Sequence, residues 1–196
     1  MTAFNTDLQN QIYQLSKILQ QNSELYNLIR QADNLGLNHY YVGAGCIAQT
    51  VWNYQTGLDL TYGISDVDFV YYDSSDMSAD AESEVVKQVE AAVPLYKFKL
   101  DINNQARVHI WYKEYFGYNI KPYSSLENAI NTWPTTATSV GVRLENNELR
   151  VYAPFGLNDL FGMIVRANKA QITEEIYNQK IRKWSAKWPS LTIVPW

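Results

Sequence analysis

The spacing of apolar residues divides the chain into a helical start, a mixed middle and a helical end. Leu8, Ile12, Leu15 and Leu19 recur at helical spacing, with Thr6 as N-cap and Gln9 three positions on completing a capping box. Leu25, Leu28, Ile29 and Ala32 mark a second amphipathic helix that ends near Gly36. A short β segment over residues 39–42 runs into Gly43-Ala44-Gly45, and residues 47–53 return to helix. Residues 65–72 alternate and are rich in β-branched and aromatic side chains, which predicts a strand. Ser78 caps a helix to about Ala92, with Asp80 and Glu82 in its first turn and Val85, Val86, Val89 and Val93 along one face. Strands are expected over residues 96–102 and 107–111, and Asn146-Asn147 joins a hairpin of residues 139–144 and 148–152. Thr173 caps a last helix striped by Ile176, Ile181, Trp184 and Trp188. The order predicts an α+β fold in one domain over residues 1–196: N-terminal helices (1–36), an α+β core (37–165) and a helical tail (166–196).

Composition narrows the class. Hydrophobic residues make up 46% of the 196, with six Trp and fifteen Tyr, enough for a sizeable core. No apolar run reaches the roughly 18–20 residues of a membrane span, and no signal core is seen near the start, so no membrane partner is expected. The single cysteine, Cys46, excludes an internal disulfide and a Cys-rich zinc cluster and makes a cytoplasmic setting the default. A net charge of −4 argues against holding extended duplex nucleic acid over a broad surface.

The chemistry concentrates in Asp66 and Asp68. Residues i and i+2 of a strand share a face with Cα atoms about 6–7 Å apart, so these two carboxylates aim at one spot while Val67 and Phe69 turn to the core. Their mutual repulsion is relieved by a divalent cation, and magnesium takes carboxylates together with substrate phosphates. Asp101 falls on the polar face of the expected 96–102 strand and joins them if that strand lies alongside. Gly43 and Gly45, between a strand and a helix, let backbone N–H groups approach phosphate. Arg107 and His109 alternate on the expected 107–111 strand as candidate phosphate contacts. The run Gly43-Ala44-Gly45-Cys46-Ile47-Ala48 also fits a dinucleotide fingerprint, but the closely spaced later strands and the long helical start do not suit repeated β-α-β units. Lys180, Arg182, Lys183 and Lys187 cluster late on the last helix, where the helix dipole alone accounts for cations. Cys46 is read as a small buried thiol.

Gly43-x-Gly45, Asp66-x-Asp68 and a later acid, in that order, resemble the DNA polymerase beta-like nucleotidyltransferase superfamily. Over residues 43–53, 64–73, 104–111, 136–144 and 153–161 the chain resembles, more narrowly, a bacterial family of nucleotidyltransferase-like proteins similar to the head domain of tRNA CCA-adding enzymes. The resemblance implies a nucleotidyltransferase fold, a small mixed sheet backed by helices with the aspartates at its edge. It implies transfer of a nucleoside monophosphate from a nucleotide triphosphate with magnesium, at a two-metal site of Asp66, Asp68 and Asp101, to an acceptor hydroxyl on a small molecule, protein or RNA end. A nucleotide- and metal-binding module without transfer is the alternative. Where CCA-adding enzymes usually carry an arginine, three residues after the second glycine, this chain has Ala48.

Overall fold

Two amphipathic helices open the chain, as the apolar spacing requires: α1 (Leu8–Leu19) and α2 (Ser23–Ala32). The computed structural model describes residues 3–37, 39–93 and 97–196. Leu15, Leu19, Leu25, Leu28 and Ile29 are fully buried. The first cap is Asp7 rather than Thr6: its carboxylate accepts from the Asn10 N–H, while the Thr6 hydroxyl turns back to the Ala3 carbonyl. Both side chains can cap, and the helix starts one residue later than the capping-box reading places it. Gly36 ends this block in the left-handed conformation expected of a helix stop.

The middle of the chain alternates β1 (Tyr40–Gly43), α3 (Gly45–Thr56), β2 (Asp66–Tyr71), α4 (Ala79–Ala92) and β3 (Lys99–Asn104). It continues through α5 (Val108–Phe116), α6 (Leu126–Ile130), β4 (Gly141–Glu145) and β5 (Glu148–Tyr152). The five strands form one mixed sheet in the order β3-β2-β1-β4-β5. β2 and β3 are parallel, whereas β1 runs antiparallel to both β2 and β4. That antiparallel centre excludes the parallel alternation a dinucleotide-binding fold requires. Asn146 and Asn147 both take positive φ, 53° and 62°, as the tight β4–β5 hairpin demands.

Two expectations about strands are corrected. Residues 107–111 are not a strand but the start of α5, with Val108 and Tyr112 buried at helical spacing. The turn is set by Asn104, almost fully buried at the end of β3. Its amide oxygen accepts from the N–H groups of Asp73 and Ala106, and its amide nitrogen donates to the Asp73 carbonyl, which stops the strand before residue 107. The strand expected from residue 96 is observed from Lys99, and Tyr96 lies outside the described residues.

The tail comprises α7 (Asn158–Phe161), β6 (Ile164–Val165), α8 (Glu174–Lys187) and β7 (Thr192–Ile193). Thr173 caps α8 as its position before the helix requires. Buried Tyr177 fastens that helix to the short β6–β7 pair, donating to the carbonyls of Val165 (2.9 Å) and Val194 (2.6 Å). Trp188, also fully buried, packs edge-on against Trp52 of α3 and donates its indole N–H to Asn53 at 2.7 Å. α8 is thereby held next to α3 and the β6–β7 pair.

Candidate active site

Strand pleat and register together assemble three acids. Asp66 and Asp68 point the same way from β2 while Val67 and Phe69, with no exposed surface, face the core. In the parallel β2–β3 register Asp101 lies beside Asp68, so its side chain leaves the same face of the sheet. The carboxylates of Asp66, Asp68 and Asp101 each bring an oxygen within 4.8 Å of the other two. Asp66 accepts from the Ser65 hydroxyl, and Asp101 from the Asn103 amide at 2.9 Å.

Asp68 sits deepest. Burial, then the charges of Asp66 and Asp101, push its carboxyl up to about 7, with Lys180 acting in the opposite direction. A carboxyl that resists ionisation because it is buried beside two other acids belongs to a donor set with too little positive charge around it. Three carboxylates of this kind suit a hard divalent cation such as magnesium, which takes oxygen ligands and keeps room for phosphate and water. Cys46 lies beneath, almost fully buried, its thiol donating to the Gly43 carbonyl at 3.0 Å. Burial and the two aspartates push that thiol well above its ordinary value, so it is a packed side chain and not a nucleophile.

The acids form part of the lining of a cleft of about 490 Å³. Ala44 and Gly45 form one side of it, at the start of α3. No described side chain caps that helix, so its first N–H groups are left for an anion. Ala44 adopts φ 60° and ψ −130°, a conformation costly for any residue with a Cβ. Gly43 is placed differently from the sequence expectation. It pairs with Asp68 inside the sheet, does not line the cleft, and is a glycine because a Cβ would lie 2.5 Å from the Val140 carbonyl oxygen and 2.9 Å from the Trp133 ring.

Arg107 and His109 are not brought to the acids. The helix that replaces the expected strand turns residues two apart by about 200°. Arg107 donates to the Met77 carbonyl at 2.8 Å and pairs with Glu82, whose carboxylate also accepts from the Asn104 N–H, fastening α4 to the end of β3. Neither Arg107 nor His109 lines the cleft.

Other residues do, and the linear reading explained those of α8 chiefly by the helix dipole and by packing, with binding as the lesser reading. Lys180, Lys183, Trp184 and Lys187 stand on the wall made by α8. Their i, i+3, i+4, i+7 spacing was the available signal, since it puts all four on one helix face. Trp111, Tyr112 and Phe116 of α5, with Tyr123 and Trp133, form an aromatic wall.

The fold is that of a nucleotidyltransferase head domain. A solved NMR structure described as revealing a CCA-adding enzyme head domain superposes with a TM-score of 0.72 at 22% identity, covering 92% of this chain and 96% of that one. At that identity the likeness shows the fold alone. The family described as Nucleotidyltransferase matches residues 30–193, and the chain belongs to it. A search of curated proteins finds no match.

Proposed function

We propose that the protein transfers a nucleoside monophosphate from a nucleotide triphosphate to a hydroxyl acceptor, with Asp66, Asp68 and Asp101 holding magnesium. The observation that carries this reading is the meeting of three carboxylates within 4.8 Å in a cleft that also contains the uncapped start of α3. Family membership supports nucleotidyl transfer in general.

In this reading the N–H groups at the start of α3, beside Gly45, receive phosphate oxygens. Magnesium, when bound, would neutralise the triphosphate and make the acceptor hydroxyl more acidic. The acceptor oxygen forms a bond to the α-phosphorus as the bond from that phosphorus to the pyrophosphate oxygen breaks. Pyrophosphate leaves with the electron pair, and the hydroxyl proton passes to Asp101 or to solvent. Asp101 is the exposed member of the pair aligned across β2 and β3, so a group arriving from outside can reach it. The lining of the cleft includes aromatic side chains of α5 and lysines of α8, chemistry that suits a base and its phosphates.

The test is incubation with α-labelled nucleotide triphosphates, magnesium and a panel of small-molecule, protein and RNA-end acceptors. The expected result is acceptor-dependent pyrophosphate release, with the label carried onto the acceptor, and both disappear in Asp68→Asn while that variant stays folded. Saturable triphosphate binding with no release for any acceptor would instead identify a binding module.

A further inference from the structure

We infer that the side-chain amide of Gln105 reads the hydrogen-bonding edge of the nucleotide's base and thereby decides which rings the cleft accepts. The inference rests on the transfer reading above and deepens it, through a residue that takes no part in the chemistry.

Asp101, Asn103 and Gln105 occupy alternate positions along the end of β3 and one residue beyond it, and all three line the cleft. The Gln105 N–H donates to the Tyr71 carbonyl at 2.8 Å, which carries the β2–β3 pairing one step past Asn104. At about 3.3 Å per residue, Gln105 lies roughly 13 Å along the chain from Asp101. A phosphate held at the acids therefore leaves room for a ribose beside Asn103 and a base beside Gln105.

α5 begins three residues after Gln105, and its Val108, Trp111, Tyr112 and Phe116 line the same cleft. Flat aromatic faces favour a stacked ring. The hydroxyls among them are already engaged. Tyr112 bonds Tyr118 at 3.2 Å, Tyr123 bonds Thr132 at 3.0 Å, and the Gln171 amide donates to Tyr123 at 2.8 Å. Gln105 differs. It is only 6% exposed, yet among the described residues its side-chain amide makes no hydrogen bond. An amide so far withdrawn from water is unfavourable until a ligand supplies both a donor and an acceptor.

The edge of a nucleobase supplies that pair. A glutamine amide matches a ring that presents an N–H next to an acceptor, as adenine does with its amino group and ring nitrogen. A purine without the amino group leaves the amide oxygen unpaired and is rejected. A carboxylate in the same place only accepts, so it favours guanine, whose ring N–H and amino group are two donors side by side.

The test uses the full chain at pH 8 with magnesium. Calorimetry measures ATP, GTP, the triphosphate of unsubstituted purine riboside and inorganic tripolyphosphate against the unaltered protein, Gln105→Met and Gln105→Glu. Thermal melts report folding. The unaltered protein should bind ATP about 10- to 100-fold more tightly than the purine riboside triphosphate, the cost of one unpaired buried amide oxygen. In Gln105→Met that gap should shrink to about threefold or less, because no polar atom is left to satisfy. In Gln105→Glu the preference for GTP over ATP should rise about tenfold or more. Tripolyphosphate, which carries no ring, should bind all three proteins within about twofold, since other residues contact it. An undiminished gap in folded Gln105→Met, an unchanged GTP-to-ATP ratio in folded Gln105→Glu, or tripolyphosphate weakened as much as ATP overturns the assignment. If the unaltered protein bound neither the nucleotides nor tripolyphosphate, the transfer reading would fall and this assignment with it. Nucleotides bound alike whatever stands at position 105 would overturn this assignment alone.

Discussion

Replacing Asp68 by Asn removes a charge at nearly constant volume and exposes the strain among the acids directly. In the fold the Asp68 carboxyl is pushed up to about 7, against an ordinary value of 3.8. Ionising it in place therefore costs up to about 4 kcal/mol. Asp68 keeps partial contact with water in the cleft, so about 2–4 kcal/mol is the expected range. The sign follows from linkage. Below pH 4 the group is neutral in both the folded and the unfolded chain, and the substitution changes little. As pH rises from 4 to 7 the unfolded chain loses its proton first, and the native protein is destabilised progressively; above 7 the full cost is present. The neutral amide of the variant escapes that cost. In metal-free buffer at pH 8, Asp68→Asn should melt roughly 4–16 °C higher than the native protein, given about 2–4 °C per kcal/mol at this size, and the gap should close near pH 4. Added magnesium should raise the melting temperature of the native protein and leave the variant unmoved. Scanning calorimetry of both proteins at pH 4 and 8, with and without magnesium, reads all of these melting temperatures. A variant less stable than the native protein at pH 8 without metal would refute the reasoning.

Further consequences follow from the same geometry. Because Asp68 must give up its proton to bind a cation, manganese affinity should rise up to about tenfold per pH unit below 7 and level off above it; a pH-independent affinity between 5 and 8 would contradict this. Gly43→Ala places a Cβ 2.5 Å from the Val140 carbonyl oxygen, and denaturant melts should show a loss of about 1–3 kcal/mol. Trp188→Phe removes the indole that donates to buried Asn53 at 2.7 Å, and should cost about 1–3 kcal/mol through the unsatisfied amide, again read by denaturant melts.

The parts of the fold that were legible in the sequence rest on local rules. Alternation around Asp66 placed Val67 and Phe69 inward, and Ser78 and Thr173 each accept an N–H of the helix they precede. The proximity of Asp101 to the pair depended on which strand lies beside β2, and the polar face of the later strand was enough to suggest it; the observed register sets Asp101 beside Asp68. Residues 107–111 misled because five residues of alternating character satisfy a strand pattern, while the decisive influence is Asn104, which ends β3 through contacts with Asp73, distant in sequence. The same error assigned Arg107 to the cleft, when its partners are Met77 and Glu82. Gly43 was legible as a required glycine but not for its reason, since the crowding comes from Val140 and Trp133, about 90 residues later in the chain. The lysines of α8 were visible as a cluster. Their orientation was not, because it depends on Trp188 and Tyr177 docking the helix against α3 and the short β6–β7 pair.

The central claim is that Asp66, Asp68 and Asp101 jointly hold the cation on which nucleotidyl transfer depends. Its most direct test is anomalous diffraction from crystals soaked with manganese and a nonhydrolysable nucleotide triphosphate. The predicted result is anomalous density bridging the three carboxylates and the triphosphate. Manganese bound elsewhere, with the three acids uncoordinated and the triphosphate seated away from them, would contradict it.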